Sequence, residues 1–161
     1  MRYTIFAVLV AIASITAQAQ SKSSSTKPTA MNQVAKGEFV VKLMPLTFEG
    51  QPDGSKIGRM SIDKTITGDL VATTKGQMLS AMTEVKGSAG CVAVERVEGV
   101  LKGKNGSFVL QHTGTMSQGS PSLSVTVVPD SGTGELVGLA GQFNIIVVAG
   151  KHSYEFTYTL P

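Results

Sequence analysis

The residues that could do chemistry are few. Asp130-Ser131-Gly132-Thr133 spells the active-site tetrapeptide of an aspartic protease. That chemistry needs two facing carboxylates that share one proton, and the chain carries a single copy. The alternative is a turn: Pro129 fixes φ, Asp130 or Ser131 caps, and Gly132 is expected to take positive φ. We read Asp130 as turn chemistry. Lys86-Gly87-Ser88-Ala89-Gly90 lacks the Gly-x-Ser-x-Gly spacing of a nucleophile elbow and reads as a loop.

Two histidines, no His-x-His pair and one cysteine give no metal-ligand spacing. No glycine-rich loop precedes a helix, so no nucleotide cofactor is implied and none of any kind is expected. His112 continues the apolar face of Phe108 and Leu110. It is a candidate ligand or acid–base group as well as a hydrogen-bonded core residue. His152 falls beside a predicted hairpin tip, where solvent should reach it.

Glu95 alternates with Cys91, Ala93, Val97 and Gly99, whereas Arg96 and Glu98 share the opposite face with Val94 and Val100. One of these faces must point inward, which encloses either Glu95 or the Arg96/Glu98 set. An enclosed carboxylate needs a partner or a raised pKa. Tyr154 and Tyr158 share a face with Phe156 and are candidates for the same interior. His112, Glu95, Tyr154 and Tyr158 form the candidate ligand-binding set, with no catalytic or metal assignment. Cys91 has only Lys86 as a nearby preceding cation, so it reads as a small buried hydrophobe.

The elements that would position these groups are strands. Period-two alternation recurs in Phe39-Val41-Leu43, in Met60-Ile62-Ile66 with Lys64 interrupting it, and in Val92 to Leu101. It returns in Phe108-Leu110-His112, Leu123-Val125-Val127, Phe143-Ile145-Val147 and Tyr154-Phe156-Tyr158-Leu160, while Met78 to Val85 is ambiguous. Asn105-Gly106 and Gly150-Lys151 supply hairpin signals. Only Gly134 to Gly141 could form a helical turn. About eight short strands with tight turns predict an all-β fold, either a sandwich or a closed barrel. Runs that are apolar on both faces, such as Ile145 to Val148, favour a filled barrel covered outside by a tail or a second subunit. Homo-oligomerisation therefore stays open.

The chain ends and charge set the context. Arg2, the apolar run Ile5 to Ile15 and Ala17-Gln18-Ala19 form an export-signal pattern with cleavage after Ala19. Residues 20–36 are rich in Ser, Thr and Lys and predict a disordered linker; residues 37–161 are one domain. A periplasmic or extracellular location follows. With 14 Lys or Arg against 11 Asp or Glu and no Trp, no nucleic-acid footprint exists, and no amphipathic basic helix suggests stable membrane insertion.

The segments GRMSIDKTITGDLVATTKGQML, VKGSAG, VERVEGVLKGKNGSFVLQHTGTM, SPSLSVTVVPDSGTGEL and KHSYEFTYTL resemble an uncharacterised bacterial family known only as a domain of unknown function. The resemblance runs from Gly37 to Leu160. Members are similar in fold to the allene oxide cyclase and dirigent barrels, which also place a Gly-Thr-Gly-x-x-x-Gly loop before a late strand. That implies an eight-stranded antiparallel β-barrel and no particular activity. Cys91 stands where the resemblance leads one to expect tyrosine; were that side chain to point into a cavity, the cavity here would differ. Three functions fit such a chain: a barrel holding a small apolar or amphipathic molecule, a cofactor-free cyclase or isomerase, or a filled structural and oligomerisation module.

Overall fold

The alternating β-branched and aromatic runs become eight antiparallel strands in a computed structural model that describes residues 31–50 and 56–161. In chain order they are β1 (Gln33–Leu46), β2 (Ile57–Gly68), β3 (Leu70–Met82) and β4 (Ala89–Leu101), followed by β5 (Lys104–Ser117), β6 (Ser120–Val127), β7 (Ala140–Val148) and β8 (Lys151–Thr159). Each pairs with its neighbour in sequence, and β8 returns to β1 in the register Gly37 opposite Tyr154, so the sheet closes into a barrel. Closure removes both sheet edges. The all-β, eight-stranded antiparallel barrel expected from the sequence is the fold found.

Several boundaries move. Strand β1 starts at Gln33, inside the stretch predicted to be linker, because Gln33 to Gly37 pair with Tyr158 to Tyr154 of β8 and Ala35 is fully buried. The predicted leader and most of the linker lie outside the described residues. The β4–β5 turn is Lys102-Gly103, not Asn105-Gly106, and the β7–β8 turn is Ala149-Gly150. Gln118-Gly119 joins β5 to β6 in the same way. All three pairs have positive φ at both residues, the two-residue hairpin geometry whose twist matches that of the flanking strands.

The weakest seam lies between β6 and β7, whose ladder has one paired position, Thr126 with Gln142. The connection between them carries Asp130, and it is indeed a turn: Asp130 is exposed with φ 59°. Ser131 Oγ accepts from Val109 N at 3.0 Å and donates to Val128 O at 2.7 Å. Thr133 Oγ1 accepts from Ser107 N at 3.0 Å. Positive φ falls at Asp130 and Gly134, not at Gly132 as expected. Gly132 is needed for space instead, since a Cβ there would lie 1.9 Å from Leu136 O. One short 3-10 turn, Gly134–Leu136, then delivers Leu136 and Leu139 into the core.

The lumen is divided along its length. One half is packed solid with aromatic rings: Phe143 stacks on Tyr154 (centroids 4.8 Å), Phe156 on Tyr158 (5.1 Å) and Phe108 on Phe156 (5.7 Å). Each such ring contributes about 1.5–3 kcal/mol by leaving water. The other half is not filled.

Candidate functional site

Period-two alternation on four neighbouring strands aims one polar side chain from each into the lumen, at the level where packing stops. Lys64 comes from β2, Thr74 from β3, Glu95 from β4 and His112 from β5. Glu95 is the buried acid; Arg96 and Glu98 take the outer face, where their ion pair of 3.4 Å is exposed. Next to Glu95 on β3 stands Gly76, and a Cβ there would press within 2.9 Å of the Glu95 Cβ. Glycine on this neighbour lets the carboxylate strand lie close.

Glu95 is the hub. Its Oε2 lies 2.6 Å from Lys64 Nζ and 3.0 Å from His112 Nε2, while Oε1 accepts the hydroxyl proton of Thr74. Thr74 has that proton to give because its Oγ1 already accepts from Lys64 N at 3.0 Å. The side chains of Glu95, Lys64 and His112 are 0%, 5% and 8% exposed. Burial pushes the Glu95 carboxyl up, but the His112 hydrogen bond, the Lys64 charge and the Thr74 hydroxyl together outweigh it and hold it below the ordinary value. An ionised Glu95 only accepts, so His112 Nε2 carries a proton toward it. The hydrogen bond that His112 makes among the described residues is this one, through Nε2. Lys64 Nζ also lies 5.2 Å over the Phe39 ring.

Above this floor is a cavity of about 240 Å³. Its walls are mainly apolar, with Val41, Ile62, Met78, Ala93 and Ile145 around Lys64 and His112. Leu43, Leu123 and Val147 form an exposed rim. His152 is not a solvated tip residue: it is half-buried at this rim and packs on Phe39 at 5.2 Å. Cys91 is likewise not sealed; it is half-buried and lines the cavity wall.

The structure therefore brings His112 and Glu95 into direct contact and sets the tyrosines apart from them. Tyr154 belongs to the packed half, where its hydroxyl accepts from Leu70 N at 2.9 Å and donates to Thr67 O at 3.3 Å. Tyr158 donates to Gln33 Oε1 at 3.0 Å. Burial, reinforced by Asp69, pushes both phenols above their ordinary value, and for Tyr154 it does so against the Leu70 hydrogen bond. Neither tyrosine lines the cavity. Lys64 and Thr74 were the members that sequence reading missed. Lys64 had left a signal, as a cation on the Ile62–Ile66 face; Thr74 left none beyond alternation with Ala72.

Outside the barrel, Leu79, Val92 and Val94 lie side by side on the outer face of β3 and β4 and are exposed. The strands are thus apolar on both faces, as the sequence implied.

The comparisons agree with this architecture. A crystal structure of a protein of unknown function from Shewanella oneidensis MR-1, assigned to the DUF3224 family, is 48% identical, with a TM-score of 0.77. The match covers 81% of this chain and 98% of that one. No curated protein matches. The family described as "Protein of unknown function (DUF3224)" matches residues 35–158, from within β1 to within β8. On this evidence the chain belongs to the DUF3224 family.

Proposed function

We propose that this protein is an exported barrel that holds a small amphipathic molecule in the open half of its lumen. One observation carries the reading: the packed half stops at a ring of charged and polar side chains, and an apolar-walled space remains above it. A barrel selected only as a structural module would gain from filling that space, because each buried methylene adds about 0.8 kcal/mol. Apolar walls with a few convergent polar groups are the usual composition of a small-molecule site. Cys91 supports the reading too. The tyrosine that the resemblance leads one to expect there would project toward this wall, and the smaller thiol leaves room.

Export rests on the N-terminal pattern of Arg2, the apolar run and Ala17-Gln18-Ala19. Intact-mass measurement of the chain recovered from outside the cytoplasm should give a mature start at Gln20; an uncleaved Met1 start overturns that part. For binding, native mass spectrometry of detergent-free protein should reveal an added small-molecule mass, or 1-hexanol should shift amide resonances of Ala93 and Ile145. A clean unliganded mass together with no hexanol response would sink the binding reading.

A further inference from the structure

The polar floor also says what kind of head group the cavity takes. Every titratable group that lines it is a cation, a potential cation or a thiol: Lys64, His112, His152 and Cys91. Among the described residues no Asp or Glu lines it. Glu95 is sealed beneath the floor, with both oxygens occupied by Thr74, Lys64 and His112. Lys64 spends one of its three N–H protons on Glu95 and presents an ammonium that fills no other hydrogen bond among the described residues. The cavity thus offers donors on its floor, and its walls offer mainly apolar surface.

Resting on the binding reading above, we propose that the ligand is a small monocarboxylate with an apolar tail, its carboxylate seated between Lys64 and His112. Size follows from the space. At roughly 30 Å³ per water-sized group, about 240 Å³ holds about eight non-hydrogen atoms. Lys64 keeps two N–H donors beyond the one given to Glu95, and these are the groups placed to meet the carboxylate. The ionisable groups facing His112 are Glu95 and Cys91 from β4, Lys64 from β2 and His152 from β8; β6 sets only Val125 and Leu123 beside it.

The test is calorimetric titration with hexanoate, 1-hexanol and hexylamine, probes that share one tail and differ in head group. Hexanoate should bind at least about tenfold more tightly than hexanol, and hexylamine more weakly than either. In the double variant Lys64→Met/Glu95→Gln, which removes both charges and leaves neither unpaired, hexanoate should lose its advantage over hexanol. Hexanol equal to or tighter than hexanoate overturns the anion proposal while leaving the binding reading intact, as does an unchanged preference in the double variant. If none of the three probes binds, both fall together.

Discussion

Lys64 Nζ lies 2.6 Å from Glu95 Oε2 inside the barrel, with side chains only 5% and 0% exposed. Two opposite charges taken so far out of water are stable only as a pair, because each alone would carry an uncompensated desolvation cost of several kcal/mol. The pair marks where packing ends and the cavity begins.

Breaking it from one side should be costly. Glu95→Ala strands the Lys64 ammonium and is expected to lower the unfolding free energy by about 3–5 kcal/mol. Lys64→Met/Glu95→Gln removes both charges and should fall within about 2 kcal/mol of wild type. Urea unfolding of the two variants decides; a double variant as weak as Glu95→Ala would show that the charges are not what the site stabilises.

Acid should act through the same carboxylate. Glu95 has a lowered folded-state pKa, so its contribution is complete above the unfolded value, near 4.5, and is lost as pH falls through the folded value. The wild type should lose stability below about pH 4.5 more steeply than Lys64→Met/Glu95→Gln, as read by melting temperature across the acid range. Parallel curves would mean that other groups govern acid unfolding.

Tyr154 separates structure from binding. Tyr154→Phe leaves Leu70 N without its 2.9 Å acceptor in a buried setting, at an expected cost of about 1–3 kcal/mol. Because the ring sits in the packed half, hexanoate affinity should stay within about twofold of wild type. A large affinity loss with unchanged stability would place Tyr154 in the site after all.

Gly132 tests the β6–β7 connection. Alanine there meets Leu136 O, a backbone atom with little freedom to yield. Gly132→Ala should therefore destabilise by more than about 2 kcal/mol, although the position does not require positive φ. Hydrogen exchange should show the loss first at the weakly paired β6–β7 seam. Near-neutral stability would mean that the connection shifts freely.

Alternation was enough to read about eight strands, to put Phe108, Leu110 and His112 on one face, and to pose the choice between Glu95 and Arg96/Glu98, which the fold then decided for Glu95. Turn chemistry was enough to remove Asp130 from catalysis. These are local properties: a side chain's face follows from its neighbours two residues away, and a turn from four consecutive residues. The turn position at Lys102-Gly103 was less legible, because Asn105-Gly106 carries the stronger local signal and the pairing register overrode it.

Sequence by itself determined that this chain makes a sheet of alternating strands with a carboxylate and an imidazole among the candidates for its interior. Only closure of the barrel decided the rest. It set Lys64, Thr74, Glu95 and His112 at one level, from strands up to 48 residues apart, and moved Tyr154 and Tyr158 to the packed half. The height of a side chain along the lumen depends on strand tilt and on the register of every ladder around the circle, which no single stretch of sequence contains.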